Sequence, residues 1–429
     1  MPQPGADDSR LIQRPDAPTT ARNHPARQRQ PTTMKEQLEE LEQFAIEVIL
    51  DRRRGTRAGV LRFMLGRLSY VYRGIVWFRL FLYRNRIIRE SNLGCLVVSI
   101  GNLTVGGTGK TPIVEKFARS LTEGGRRVAI LSRGYKSVKP PVTERVKSRI
   151  NGKTIHSPPR VVTDGKRILL DSKTAGDEPF MLASNLDDVA VVVDKDRVKA
   201  GKFAINEFKA DTLLLDDGLQ YLKLKHRLDI VLVDRYSPFG NEYLLPRGTL
   251  REPPRNIKRA SYIFITKCNG EPNDELIERI RKHNRTAEII ECAHKPQYLE
   301  NVVTRERISL DTLKGKYIGS ICGIAVPESF EDGLKKLGAK IETRRRFTDH
   351  HRYTEKELLD FINRCINRDV DMIVTTEKDF VRFPHLPRMD VPIYFMRVEI
   401  AILSNQETWT ECVNRICKPR PIVPARRFF

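Results

Sequence analysis

Short apolar runs alternate with helical or loop stretches from residue 96 onward. Each run has four or five residues, mostly Leu, Ile and Val, as in strands that are buried on both faces of a sheet. The runs are residues 96–100, 128–131, 189–193, 212–215, 229–233 and 262–266. A helix is predicted over 113–121, with two glycines after it as a stop signal. The pattern predicts an α/β fold in which helices cover both faces of a mostly parallel sheet.

Four regions follow from the same pattern. They are a polar, proline-rich tail (1–34), a helical basic segment (35–95), the α/β core (96–300) and a smaller C-terminal α/β lobe (301–429). The tail lacks the large apolar residues of a core and is predicted to be disordered, so Met34 is our expected start of the native chain. A β-hairpin is predicted near 160–171. A cleft between two lobes that join near residue 300 would suit a two-substrate reaction.

The smaller lobe has its own alternation of elements. Strands are predicted at 317–322 and 371–375, and helices at 328–337 and 355–367. We assign no role to residues 401–429.

Positive charge is concentrated in the helical segment. The chain carries a net charge of +22, and residues 52–89 hold 11 Arg with no Asp, Glu or Lys, among many apolar residues. The segment could lie on an anionic membrane surface, hold nucleic acid, or pack on the body with solvated Arg side chains. We favour the membrane surface, although the basic face is imperfect. The contacts predicted are Arg62, Arg73, Trp77 and Arg84. No apolar run approaches the roughly 20 residues of a spanning helix.

Cysteine usage indicates a reducing compartment. The seven cysteines are scattered, with no C-x-x-C pair, and the polar N-terminus does not resemble a secretory signal. We expect a cytoplasmic protein with buried thiols and no structural zinc.

A glycine-rich turn with a Lys-Thr pair follows the first predicted strand. Such a turn between a strand and a helix is typical of phosphate-binding loops, where backbone N–H groups and the helix N-terminus meet phosphate oxygens. Lys110 would reach the β- and γ-phosphates, and the Thr111 hydroxyl would ligate Mg²⁺. The predicted nucleotide-binding residues are Thr104, Gly106, Gly107, Thr108, Gly109, Lys110 and Thr111. The general pattern has glycine in place of Thr104, so an ordinary turn with a surface lysine is the alternative.

Two adjacent carboxylates, Asp216 and Asp217, follow the apolar run 212–215. In a phosphate-loop enzyme the Asp at a strand end holds Mg²⁺, directly or through water. A D-D-G sequence alone is also typical of a turn. Beside a phosphate loop we favour the metal function, with Thr111 as the third ligand.

Two further acidic or histidine motifs are candidates for proton transfer. Asp177, followed by Glu178, either caps the next helix or accepts the proton of an attacking hydroxyl. Asp349, His350 and His351 are either a surface feature at a helix start or place an imidazole beside that carboxylate.

A long loop rich in Gly and Pro, residues 239–253, follows the strand at 229–233. It contains Asn241. Its position at the carboxyl edge of the sheet suits contact with substrate or nucleotide, and an ordered connection explains it equally well.

Together these motifs resemble the tetraacyldisaccharide 4'-kinases, the lipid A 4'-kinases of Gram-negative bacteria. The resemblance covers roughly residues 60–400, and Thr104 is what this family has at that position. The segments that carry it, in order, are 101–112, 132–135, 176–179, 216–220, 240–241, 244–246, 250–253, 349–350 and 376–379. The chain departs from the family in its N-terminal tail, in residues 401–429 and at Lys136-Ser137.

The resemblance implies a P-loop kinase that transfers the γ-phosphate of ATP to the 4'-hydroxyl of a lipid A disaccharide 1-phosphate, with Mg²⁺. It implies that Asp177 is the base, helped by a histidine that matches His350 better than His351. Arg133, Glu178, Asn241 and Asp349 would support the substrate or these groups. It also implies a peripheral position at the cytoplasmic face of the inner membrane, with no nucleic acid and no obligate protein partner.

Two other functions fit parts of the sequence. A GTPase switch or metallochaperone-type regulator would share the phosphate loop, but the nearest guanine-specificity sequence, residues 265–269, lacks the required Asp. A nucleic-acid-dependent ATPase would suit the basic charge, but that charge lies in one aromatic-rich helix.

Overall fold

The computed structural model describes residues 34–134, 158–384 and 390–418, and for residues 34–40 the backbone alone. The predicted disorder of the first 33 residues, Tyr135 to Ser137 and the chain beyond residue 418 lie outside the described residues.

Thirteen strands of the described chain form one sheet. They are β1 Leu96–Asn102, β2 Val128–Ser132, β3 Arg160–Thr163, β4 Ala190–Val193, β5 Thr212–Asp216, β6 Leu228–Asp234, β7 Tyr262–Thr266, β8 Glu288–Asn301, β9 Arg307–Ile308, β10 Tyr317–Cys322, β11 Lys340–Arg346, β12 Met372–Thr376 and β13 Ile393–Ile402. Their spatial order is β11-β10-β12-β13-β8-β7-β6-β1-β5-β2-β4-β3, with β9 beside β8. Neighbours are parallel except at β3–β4, β8–β13 and β8–β9.

Helices connect the strands. They are α1 Met34–Ile49, α2 Thr56–Arg84, α3 Lys110–Glu123, α4 Ser172–Ala175, α5 Asp177–Asn185, α6 Arg197–Phe208, α7 Asp274–Arg281, α8 Pro327–Lys336, α9 Glu355–Ile366, α10 Glu377–Phe380 and α11 Gln406–Cys417. The mostly parallel α/β prediction is confirmed, because β1, β2, β4, β5, β6 and β7 are parallel neighbours with separate buried clusters on the two faces of the sheet.

The hairpin expected near 160–171 is only partly formed. β3 pairs with β4 at the edge of the sheet, whereas the second arm meets it only at a single bridge between Thr163 and Ile168. Ile168 and Leu169 are each 49% exposed, so the apolar residues that suggested a second strand find little to pack against.

The two lobes share more structure than the sequence indicated. The 14-residue strand β8 pairs with β7 through its first residues and with β13 through the rest. The final helix α11 then returns to the core, where Trp409 packs 4.6 Å from the Phe117 ring of α3. The C-terminal residues 393–417 therefore pair with or pack on elements of both predicted lobes. The sequence did not predict β8 as a strand, because its middle contains polar residues such as Lys295 and Gln297.

A buried ion network joins the two lobes. Arg397 of β13, 4% exposed, contacts Glu115 of α3 and lies 2.8 Å from a Glu377 oxygen of α10. The Asn185 amide of α5 donates to Glu377 at 2.5 Å and to Glu115 at 3.3 Å. The Arg397 guanidinium thus joins α3 to α10, and the Asn185 amide adds the helix that starts with Asp177 to the same network.

Helix α2 lies against the core by one side only. The Ser69 and Tyr72 hydroxyls donate to the carbonyls of Leu244 and Arg251, and the Arg79 guanidinium donates to that of Gln220. Most of its large apolar side chains face away from the body, including Phe63 and Phe78, which are 64% and 55% exposed. None of the described helices combines the length and apolar character needed to span a bilayer.

Replacing Arg397 with Met should destabilise the protein strongly, because Glu377 would remain buried with no cation beside it in the described chain, and Glu115 would keep only Arg119 at 3.0 Å. Breaking a buried pair in this way costs about 3–5 kcal/mol, which chemical denaturation measures. Lys335→Met, which removes an exposed partner of Asp332 at 3.2 Å, is the control and should change little. Equal losses in the two variants would contradict a joining role for Arg397.

Candidate active site

The glycine-rich loop runs from the end of β1 to the start of α3. Gly109 precedes α3 with a φ of 77°, and Gly106 has a φ of 116°, values that favour glycine. A Cβ on Gly109 would lie 2.6 Å from the His294 ring of β8. Burial lowers the pKa of His294 to about 4, with Lys267 adding to the effect. The neutral His294 imidazole therefore packs directly against Gly109 of the loop. The sequence did not suggest this contact.

The loop is also fixed to the chain near residue 250. The Val105 amide donates to the Thr249 carbonyl, and the Arg251 amide donates to the Leu103 carbonyl, each at 2.7 Å. This pairing places the Arg251 side chain beside the loop. The predicted 239–253 segment is thus an ordered connection that also borders the site.

Lys110 and the two strand-end carboxylates lie together. The Lys110 ammonium is 3.3 Å from the Asn102 amide oxygen and 3.7 Å from an Asp217 oxygen. Asp217 accepts from Arg251 at 2.7 Å, and the Ser132 hydroxyl donates to Asp216 at 3.2 Å. Parallel pairing of β1 with β5 and of β5 with β2 brings these groups to one edge of the sheet.

Electrostatics at this edge fit a cation. Burial raises the pKa of Asp216 to about 6, and the charge of Asp217 adds to the increase. Burial also works to raise the pKa of Asp217, but Lys110 and Arg251 more than offset it and hold this pKa below its usual range. A divalent ion at the pair would relieve the unfavourable burial of the Asp216 charge.

Thr108 has a hydroxyl at the loop, unpaired in the described chain, which fits an incoming phosphate oxygen. Its hydroxyl is buried and has no hydrogen-bond partner among the described residues, although buried polar groups are nearly always paired. Thr111 follows in the first turn of α3. No group of three or more His, Cys, Asp or Glu in the described chain could hold a metal ion. Magnesium at nucleotide sites uses one or two protein carboxylates together with the phosphates, so the residues present fit MgATP.

Asp177 forms the centre of a second cluster. It is 5% exposed at the first position of α5, after Gly176. Its carboxylate lies 2.8 Å from Arg382 Nε, 3.2 Å from Arg352 and 3.2 Å from His350 Nδ1. Burial works to raise the pKa of Asp177, but the bond to His350 and the charge of Arg382 hold it below its usual range. Asp177 is therefore ionised at neutral pH.

The structure distinguishes the two adjacent histidines. His350 has a φ of 65°, and this left-handed backbone turns its ring towards Asp177. The His351 ring instead stacks on Phe347 at 4.3 Å and contacts Glu357 at 3.1 Å. His350 therefore belongs to the cluster, as the resemblance favoured, and His351 supports the start of α9.

The segment 376–382 holds this cluster in place. The carboxylate of Asp379, fully buried, accepts from the Gly323 amide and the Tyr353 hydroxyl at 3.0 Å each. Arg382 contacts Asp379 at 3.3 Å and continues to Asp177. The Lys378 ammonium lies 3.4 Å from His350 Nε2, 3.4 Å from Asp349 and 3.6 Å from Glu178. Sequence reasoning missed Arg382 and Arg352, because nothing local shows that arginines 205 and 175 residues away reach Asp177.

The two clusters are close enough for their charges to interact. Glu178, next to Asp177, contributes to the raised pKa of Asp216, and Arg133 follows β2 on the same edge and is exposed. Asn241 lies elsewhere. Its amide donates to the Ile49 carbonyl at 2.7 Å and to Asp51 at 3.1 Å. Its amide thus fixes the α1–α2 connection, and the support of the substrate by Asn241 stays a prediction.

Comparison with known proteins identifies the family. The model of the tetraacyldisaccharide-1-P 4'-kinases matches residues 61–418. The chain belongs to this family. A tetraacyldisaccharide 4'-kinase of Halothermothrix orenii is 32% identical over 84% of this chain and 94% of its own length. The tetraacyldisaccharide 4'-kinase of Elusimicrobium minutum is 39% identical over 76% of this chain and 84% of its own length.

A solved structure agrees with this membership. The crystal structure of LpxK from Aquifex aeolicus in complex with ATP is similar to this chain, with a TM-score of 0.65 and 27% sequence identity. The match covers 83% of this chain and 100% of the Aquifex aeolicus chain. The P-loop kinase fold, ATP and Mg²⁺ expected from the sequence are confirmed by family membership. The kinase is therefore favoured over a nucleotide switch or a nucleic-acid-dependent ATPase.

Lys110→Ala should lower kcat/KM for ATP by about 100-fold or more, because one positioned donor to a reacting phosphate is lost. Steady-state kinetics with varied ATP measures this. The matched control is Lys116→Ala on the same helix, where the lysine lies over the Trp409 ring at 5.5 Å. An unchanged kcat/KM in Lys110→Ala would contradict the assignment of the loop.

Proposed function

We propose that the protein transfers the γ-phosphate of ATP to the 4'-hydroxyl of a tetraacyl disaccharide 1-phosphate, with Asp177 as the proton acceptor. The observation that carries this proposal is the buried Asp177 carboxylate, 3.2 Å from His350, whose neighbour Glu178 is close enough to Asp216 to affect its pKa. Family membership supports the substrate class.

Each residue has a task in this mechanism. Asp177 accepts a hydrogen bond from the 4'-hydroxyl and takes its proton as the oxygen bonds to the γ-phosphorus and the bond to the ADP oxygen breaks. His350 and Arg382 hold the carboxylate in position. Lys110 and the loop amides stabilise charge on the phosphate oxygens. Thr111, Asp216 and Asp217 would hold Mg²⁺, which supplies further charge neutralisation when bound.

The low basicity of Asp177 is compatible with this task. Phosphoryl transfer has a loose transition state, and positioning and electrostatic stabilisation supply most of the rate increase. An ionised carboxylate that orients the hydroxyl and then accepts its proton meets that requirement. Asp349 and Glu178 form ion pairs with Lys378 and would keep its ammonium beside His350.

Asp177→Asn and His350→Ala should each lower kcat by about 10²–10⁴-fold, as expected on loss of a general base or its partner. ATP binding should persist, because neither residue contacts the phosphate loop. Phosphate transfer and nucleotide titration measure the two effects separately.

His351→Ala is the matched control for these variants, because it removes a neighbouring imidazole that points to Glu357. It should retain a wild-type kcat. If His351→Ala lost as much activity as His350→Ala, the assignment of the dyad would be wrong.

We also propose that α2 places the protein on an anionic membrane surface, at the cytoplasmic face where ATP is available. The exposed apolar side of α2 and its arginines support this, since interfacial helices combine these features. Among the residues predicted to contact lipid, Arg62 already forms an ion pair with Asp51 at 3.1 Å. Trp77, Arg73 and Arg84 are exposed.

The double variant Phe63→Asp/Phe78→Asp should lose at least about tenfold in vesicle binding, because burial of a Phe side chain contributes roughly 1.5–3 kcal/mol. Sedimentation with vesicles containing phosphatidylglycerol measures this. Val303→Asp/Leu403→Asp adds the same charge at exposed apolar residues of the body. Similar losses in both double variants would contradict an interfacial role for α2.

A further inference from the structure

Two arginines contact the Asp177 carboxylate, and they differ in exposure. The Arg382 side chain is fully buried, whereas the Arg352 side chain is 37% exposed. Arg382 Nε donates to Asp177 at 2.8 Å, and its Nη1 donates to the Gly323 carbonyl at 3.2 Å. The remaining nitrogen, Nη2, lies 3.2 Å from His350 Nδ1. Arg382 is therefore enclosed by the protein and supports the carboxylate from within.

Arg352 bonds to the protein through one nitrogen of its guanidinium. Its Nη2 donates to the Ser172 carbonyl and to Asp177 Oδ1, each at 3.2 Å. Within the described chain, its Nε and Nη1 make no hydrogen bond or ion pair. An arginine carries N–H groups on all of these nitrogens and accepts nothing. The outer N–H groups of an exposed guanidinium are therefore available to a ligand that reaches Asp177.

The contacts of Asp177 leave one of its oxygens less occupied than the other. His350 Nδ1 at 3.2 Å and Arg382 Nε at 2.8 Å both bond to Oδ2. Among the described residues, Oδ1 accepts from Arg352 alone. Because a carboxylate oxygen has two lone pairs, Oδ2 is filled by its two donors and Oδ1 retains one acceptor position. A hydroxyl that gives its proton to Asp177 would therefore meet Oδ1, beside Arg352.

We infer that Arg352 binds the acceptor sugar next to its reacting hydroxyl. The reacting hydroxyl would take the open position on Asp177 Oδ1, and the outer N–H groups of Arg352 would donate to a neighbouring oxygen of the same sugar. A planar guanidinium with its donors in a fixed fork suits adjacent oxygens. The inference rests on the proposed function of Asp177 as the proton acceptor. It adds a requirement on the acceptor, which must carry an oxygen beside the hydroxyl that reacts.

The surroundings of Arg352 favour the acceptor over the nucleotide as its ligand. Besides burial, the neighbours with the largest effects on the pKa of Asp216 and of Asp217 include Lys110 but not Arg352. The Arg352 guanidinium instead lies against Ser172 at the start of α4. The charges at the phosphate loop are thus supplied by other side chains, and Arg352 belongs to the side of Asp177 that the acceptor approaches.

The test is Arg352→Gln, which removes the charge and the fork. Its matched control is Arg345→Gln, which removes a nearby guanidinium whose Nη1 donates to the Glu357 carbonyl at 2.9 Å. One arm titrates the protein, loaded with a non-hydrolysable ATP analogue, with the tetraacyl disaccharide 1-phosphate in neutral detergent and measures its Kd. The other arm measures kcat and the KM values for ATP and for the acceptor. The first arm needs no turnover.

Arg352→Gln should weaken acceptor binding by about 10- to 100-fold, the range that loss of a hydrogen bond from a charged group gives. The KM for the acceptor should rise, and the KM for ATP should stay unchanged. Arg352→Lys keeps the charge beside Asp177 but lacks the fork, so it should recover only part of the affinity. The control should bind the acceptor as the wild-type protein does.

A lower kcat in Arg352→Gln with an unchanged Kd for the acceptor would overturn the inference, because Arg352 would then act only by holding Asp177. Equal losses of acceptor affinity in Arg352→Gln and Arg345→Gln would overturn it as well. If the wild-type protein bound the acceptor through Arg352 but transferred no phosphate, the proposed function alone would be wrong.

Discussion

The active site depends on the buried contact between Arg397 and its two carboxylates. Glu115 lies on the helix that begins at the phosphate loop, and Glu377 begins the segment that carries Lys378 and Arg382. Asn185, at the far end of the helix that starts with Asp177, bonds to both carboxylates. Removing the guanidinium would leave Glu377 buried with no cation beside it in the described chain, and Glu115 with Arg119 alone. The same contact therefore stabilises the fold and holds the helix after the phosphate loop beside the segment that carries Lys378 and Arg382.

Charge is distributed so that each carboxylate of the site has a separate function. Asp177 is surrounded by cations and a ring nitrogen, and stays ionised. Asp216 is buried beside another carboxylate, which raises its pKa to about 6, and a positive group beside it would stabilise its charged form. The two Asp side chains thus have pKa values shifted in opposite directions, because their surroundings differ. The proposed functions of proton acceptor and magnesium ligand follow from that difference.

Local patterns predicted many of the strands and helices. The strand at 262–266 and the strand at 317–322 have the predicted bounds, and the helix expected at 113–121 begins at Lys110. The long β8 was missed because its centre is polar and lies between two partner strands. Arg382 and Arg352 were missed for a different reason, since only the folded chain brings them to Asp177. The bonds of the Asn241 amide to Ile49 and Asp51 were missed for the same reason.

Membership of the family and the geometry of Asp177 converge on one reaction. The most direct test combines the purified protein with MgATP and a detergent-dispersed tetraacyl disaccharide 1-phosphate, and determines the mass and the phosphorylated position of the product. The account predicts one added phosphate on the 4'-oxygen. A folded protein that binds ATP and leaves this acceptor unphosphorylated, or phosphorylates another position, would contradict it.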